Sequence, residues 1–285
     1  MKPFGVPASL GENGATTARP RGLMNDSAPL QDCTVYEHPL NERVRTLLRL
    51  EFLFAQGEFG FSGDSPWHSR AGVNALIDVM GLLSRGDLRK EVQKELDRVT
   101  GLLEGLAESP GVDASRLAEA LGECRALSER FQNAGPLLGA RLRDNELLAA
   151  VGQRLGIIGG TCAFDLPGYH HWLQRPAAQR RQQLHDLFAD YGPIREATDL
   201  LLWFLRDSAH PRRESAPAGN YQASLDRNQP YQLLRVLLPA DTPYFPEISG
   251  TRHFVTMRFM RQDDMDSRPR QSQEDVDFLL ERCAI

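Results

Sequence analysis

The sequence predicts an α+β protein: a mostly helical N-terminal domain and a smaller antiparallel β domain formed chiefly by the C-terminal part. Two observations predict it. Between about residues 40 and 208, apolar residues recur every three or four positions, the period of a helix face. From Gln232 onward they come in short runs of Val, Phe and Leu cut by Pro, Gly, Ser and charge, which is a strand pattern. No internal repeat or long heptad array competes with that division. At 285 residues, 41% hydrophobic and 25% charged, the chain is long enough to bury a core.

Residues 1–33 are rich in Gly, Pro, Ala and Thr without periodicity, which predicts a disordered extension. VYEHPL is short and extended, and Pro39 suits the first turn of a helix, where a missing N–H costs nothing. Leu40, Val44, Leu47, Leu48 and the run Leu50 to Phe54 place a long helix there, broken by GEFGFSGDS. Ser65-Pro66 opens a second helix through about Leu83, and Ser84-Arg85-Gly86-Asp87 stops it and caps the next. The third, about 88–107, carries Leu88, Val92, Leu96, Val99 and Leu103 at helical spacing. SPGV turns the chain, and Asp113 caps a fourth helix over 114–133. Further helices are expected at about 141–155, 176–190 and 192–208, the last containing the core run DLLLWFL.

GIIGGTCAFDLPGYHHWL, residues 156–173, opens with Gly-rich backbone and a short apolar segment, then a short helix after Pro167. YQLLRVLLP, RHFVTMRFM and DVDFLLERC read as strands, with Val255, Met257 and Phe259 on one side of the second and Phe254, Thr256, Arg258 and Met260 on the other. The expected division is a helical domain of 34–155 plus 174–212 and a β domain of 156–173 plus 213–285.

Charge and cysteine usage narrow the function. Lys+Arg 33 against Asp+Glu 38 gives net −5, which opposes a chain-wide grip on nucleic acid or anionic lipid. Four scattered cysteines (Cys33, Cys124, Cys162, Cys283) without a CxxC argue against a disulfide framework or structural zinc. No run reaches the roughly 18 apolar residues of a membrane span, and MKPFGVPASLGENG lacks the apolar core of a secretory signal. A cytoplasmic protein is expected.

No catalytic constellation stands out. Cys162 with His170 or His171 lacks a recognisable base and orienting partner, and reads as a buried apolar Cys beside a strand. His170, His171 and His185 form neither HExxH nor an i,i+4 pair, so no metal is expected. GIIGGT lacks the Lys-Ser/Thr of a phosphate loop and reads as a tight turn needing positive φ. No cofactor is implied.

The arginines carry more information. Arg45 and Arg49 stand at i,i+4 on the first helix; Glu42 balances Arg45, and no acid stands at 45, 46, 52 or 53 for Arg49. Such a pair either meets an external anion or is a solvated face with distant partners. A second cluster lies in the strands: Arg235, Arg252, His253, Arg258 and Arg261, followed by an acidic tail from Asp263. That charge change makes either a bipolar surface or simple self-neutralisation.

EHPLNERVRTLLRLEFL (37–53), PGVDASR (110–116), GGTCAFDLPGYHHWL (159–173) and YFPEISGTRHFVTMRFM (244–260) resemble, in order, the motifs of the ZapD family of bacterial cell-division proteins. The resemblance covers about 34–285. It implies a non-enzymatic, homodimeric partner of FtsZ, the tubulin-like GTPase of the division ring. Such a protein binds FtsZ's acidic, amphipathic C-terminal tail, cross-links or bundles its filaments and acts at the mid-cell ring, with no nucleic acid and no membrane insertion. By motif position, Arg45, Arg49, Arg143, His170, Arg252 and Arg258 are its partner-binding candidates. Glu146 stands where some relatives carry a basic residue, and the extension 1–33 has no family counterpart. The alternatives are a small enzyme using Cys162 and His170, a nucleic-acid binder using the basic strands, and a helical scaffold for another protein.

Overall fold

A computed structural model describes residues 33–84, 88–108, 113–134 and 139–285. Strand β1 (Cys33–Pro39) leads into α1 (Glu42–Ser62), α2 (Pro66–Leu83), α3 (Leu88–Gly105) and α4 (Ala114–Ala134). Short helices α5 (Ala140–Arg143), α6 (Glu146–Arg154) and α7 (Pro167–Leu173) precede α8 (Ala177–Ala189) and α9 (Gly192–Asp207). Strands β2 (Arg212–Ala216), β3 (Asn220–Ser224), β4 (Tyr231–Pro239), β5 (Tyr244–Gly250), β6 (Phe254–Arg261), β7 (Arg270–Gln271) and β8 (Val276–Ala284) follow. The chain is therefore α+β, as its periodicities predict.

Polar side chains start the helices where expected. Ser65 caps α2 by accepting from the His68 N–H, and Asp113 accepts from the N–H groups of Ser115 and Arg116 ahead of α4. All five predicted apolar residues of α3 are buried. The stretch 141–155 is two helices rather than one, because Asn145 caps α6 by accepting from the Leu148 N–H.

Other boundaries differ from expectation. Pro39 ends β1 instead of starting a helix; Asn41 is the cap of α1 and accepts from the Val44 N–H at 2.8 Å. Thus 34–39, expected with the helices, is an edge strand. The GEFGFSGDS segment does end α1, but not at its first glycines: the helix runs on to Ser62 and Gly63 is its C-cap. Its glycines let neighbours approach: a Cβ on Gly60 would lie 2.3 Å from the Gly72 backbone of α2, and one on Gly57 2.4 Å from the Phe188 ring of α8. The segment 156–173, expected with the sheet, is a run of turns followed by α7. Tyr169, Trp172 and Leu173 of α7 sit in the helical core, because the helix presents them inward together. The reading of 1–33 as disordered falls outside the described residues except for Cys33, which opens β1.

The strands make two antiparallel sheets, ordered β1-β4-β8-β2 and β3-β6-β5, with β7 paired to the end of β6. They pack face to face through Leu234, Val236 and Leu238 of β4, Phe278 and Leu280 of β8, and Val255, Met257 and Phe259 of β6. The two sides of β6 alternate as predicted, and the structure buries the Val255, Met257 and Phe259 side. The opposite face of the first sheet meets the helices through Leu233 and Cys283, which belong to the helical core.

Candidate partner-binding site

A row of alternating charge joins sheet to helices. The register sets Glu37 of β1 opposite Arg235 of β4, and Arg235 opposite Glu281 of β8. Arg235 donates to Glu37 at 2.9 Å and to Glu281. From the end of α9, Arg206 donates to Glu37 at 2.7 and 2.8 Å and to Glu51 of α1 at 2.6 and 2.7 Å. Burial pushes the Glu37 carboxyl up, but Arg206 and Arg235 outweigh it and hold the group below the usual carboxylate range. Glu281 goes the other way: burial raises it, Arg235 only partly offsets that, and the nearby charge of Glu37 adds to it. This junction was missed in the sequence. Its signal is a charge inside an apolar run, Arg206 in LLLWFLRD and Arg235 in LLRVLL.

Beside this junction lie the first candidates. Arg45 donates to Glu42 at 3.1 Å, the predicted i,i+3 pair. Arg49 is exposed and has no ion-pair or hydrogen-bond partner for its side chain among the described residues. His38, at the end of β1, is half-buried, and its pKa is lowered by that burial and by the Arg45 charge. Gly250, at the end of β5, packs so closely on Leu40 and His38 that a Cβ would lie 2.8 Å from Leu40 Cδ2. The turn carrying exposed Arg252 therefore sits at the entrance to α1, and Arg252 also lacks a partner among the described residues. The fold thus brings Arg45, Arg49 and the Arg252 turn to one corner, although Arg252 is some 200 residues away in sequence.

Arg258 differs. It points away from the inter-sheet core, as its alternation predicts, but its charge is met across the strand by Glu247 at 2.8 Å. In the acidic tail, Asp263 accepts from Arg261 and Glu281 from Arg235. Self-neutralisation therefore accounts for these arginines and leaves Arg252 outside it.

Arg143 and His170 lie at the other end of the helical layer. The charge of Arg143 acts on Tyr191, at the start of α9, whose burial raises the phenol pKa. The sheet contacts are at the far end of that 16-residue helix, about 24 Å away. His170 is exposed on α7, next to Tyr169, whose ring lies 5.0 Å from the Arg70 guanidinium near the start of α2. That end of α2 adjoins the C-terminal end of α1, away from the sheet.

Cys162 is half-buried in a turn and not beside a strand, and its thiol lies 3.4 Å from Asp165 Oδ2. The turn that holds it is open to solvent, with Ile158 and Phe164 exposed, so it offers no buried apolar bed for the thiol. Gly159 has the positive φ (+70°) that the GIIGGT turn predicts. Among the described residues no helix is long and apolar enough to cross a membrane.

Comparison with known proteins covers most of the chain. The family model ZapD, described as a cell division protein, matches residues 48–258. The cell division protein ZapD of Methylococcus capsulatus is 42% identical over 251 residues, 88% of this chain and 98% of the relative. Those of Chromobacterium violaceum and Azoarcus sp. are each 36% identical, over 87% and 88% of this chain and 98% and 99% of the relatives. The motifs and these matches agree: the chain belongs to the ZapD family of cell division proteins.

Proposed function

We propose that this division protein acts without catalysis, as a homodimer that binds the C-terminal tail of FtsZ and cross-links its filaments at the mid-cell ring. The observation carrying this reading is the corner of Arg45, Arg49 and Arg252, where Arg49 is exposed and unpaired beside a rigid charged junction. An exposed guanidinium without an internal partner has its donors available for a carboxylate. The Glu37–Arg206–Glu51 bridge makes α1 and the sheet, taken here as two domains, a fixed platform for it. Arg258, on the outer face of the second sheet and already paired with Glu247, is left out of this site. Arg143 and His170 lie at the other end of the helical layer from the Arg45–Arg49 corner, and we assign them to a contact beyond that corner. A dimer presents each site twice, and many weak contacts along two polymers give avidity.

The test is low-speed co-sedimentation of GTP-assembled FtsZ with the full chain, repeated with FtsZ lacking its tail. Pelleting of full-length FtsZ alone supports the reading. No pelleting, or equal pelleting of both, overturns it.

A further inference from the structure

Along α1, Arg45, Arg49, Phe52, Gln56 and Phe59 succeed one another at steps of four, three, four and three residues, so they form one ridge. Phe52 is 68% and Phe59 58% exposed, whereas Leu50 and Phe54 on the other side of the helix are buried. Aromatic rings left in water along a single ridge, within a helix whose opposite face is fully packed, are a contact surface awaiting its partner. The Phe59 ring is braced against His68, with centroids 4.8 Å apart, so that end of the ridge is held in place by α2. Between Arg45 and Phe59 the ridge carries no acidic residue; Glu42, one step earlier on the same face, pairs with Arg45.

We propose that this ridge seats an acidic, amphipathic peptide, its carboxylates on Arg45 and Arg49 and its apolar side chains on Phe52 and Phe59. The inference rests on the tail-binding reading and adds the apolar half of the contact and its direction: acidic residues toward the sheet, apolar residues toward the far end of α1. Charge complementarity chooses the occupant, because the unpaired Arg49, one turn from the Glu42-paired Arg45, at one end and two rings at the other match a segment with the same asymmetry. Length agrees. Arg45 to Phe59 spans about 21 Å at 1.5 Å per residue, which about six extended or fourteen helical residues would cover. Two copies of α1 meeting through this face would set Arg49 on the seam with no acid between Arg45 and Phe59 to pair it.

The test is fluorescence anisotropy of a labelled peptide carrying the FtsZ C-terminal tail, titrated with the full chain over a salt series. Variants are Phe52→Ala, Arg49→Glu and, as an exposed apolar control on α3, Leu102→Ala. Phe52→Ala should weaken binding about five- to tenfold, the loss of one aromatic anchor, with an unchanged salt slope. Arg49→Glu should weaken it and flatten the slope, and Leu102→Ala should do neither. Wild-type affinity in a folded Phe52→Ala protein overturns the ridge but leaves tail binding standing. Absence of peptide binding by the wild-type chain overturns the tail reading itself. A Phe52→Ala protein that binds the peptide normally but sediments as a monomer, where the wild type is a dimer, gives the ridge to self-association and overturns its assignment to the peptide.

Discussion

Replacing Arg206 with Met should uncouple the two parts of the fold. Arg206 makes four charge-assisted hydrogen bonds, two to Glu37 and two to Glu51, and its side chain is only 26% exposed. Removing one partner of a buried ion pair costs about 3–5 kcal/mol, because the other charge is left unpaired. Two features reduce that here. Glu37 keeps Arg235, and Glu51, at 36% exposure, keeps much of its hydration. A loss of about 2–3 kcal/mol is expected at pH 7 by these arguments, a large part of a stability of about 5–15 kcal/mol. Urea denaturation monitored by circular dichroism measures it. The pH dependence gives a second reading. The folded-state pKa of Glu37 is depressed, so its contribution is complete at neutral pH and is lost as pH falls through that folded value, below the unfolded pKa of about 4.3. The gap between wild type and variant should therefore narrow below about pH 4. A variant within about 0.5 kcal/mol of wild type at pH 7, the range of ordinary surface substitutions, would refute the reasoning; so would a gap that stays constant down to about pH 3.

Two further outcomes follow from packing. Gly60→Ala places a methyl group into the Gly72 backbone and should destabilise by about 1–3 kcal/mol or more, whereas Gly101→Ala on α3, whose Cβ would meet nothing, should stabilise by up to about 1 kcal/mol; thermal melts of the pair decide it. Burial pushes the Cys283 thiol to about 12 and the Cys124 thiol to about 11. Iodoacetamide at pH 8 on the native protein, read by mass spectrometry, should therefore label half-buried Cys33 and Cys162 well before Cys124 and Cys283; equal labelling would contradict that order.

What could be read from sequence was what is local. The stripe of α3, the Ser65 and Asp113 caps, the alternation of β6 and the Arg45–Glu42 pair all depend on neighbours within a few residues, and each lies as expected. What escaped depends on distant partners. Gly60 looks like a helix breaker until Gly72 is known to lie against it. Pro39 looks like a helix start until β1 is seen paired with β4, about 200 residues later. Short polar strands such as RRESA carry no apolar alternation, because β2 is an edge. The candidate site divides in the same way. The lack of a local acid for Arg49 is visible from spacing, while its lack of a distant partner among the described residues and the Glu247 partner of Arg258 come only with the fold. Phe52 lies inside the apolar run Leu50 to Phe54, although Arg45, Arg49 and Phe52 at i, i+4 and i+7 mark a common face. As partner-binding candidates Arg143 and His170 come only from the resemblance, and the helices carry them to the opposite end from Arg49.

The most direct test of tail capture is a charge exchange. Arg49→Glu protein, shown to be folded by circular dichroism, is mixed with FtsZ carrying its own tail and with FtsZ whose tail carboxylates are replaced by lysines. The account predicts that the variant fails to bundle the first and regains bundling with the second. Full bundling of unaltered FtsZ by the Arg49→Glu protein would contradict it.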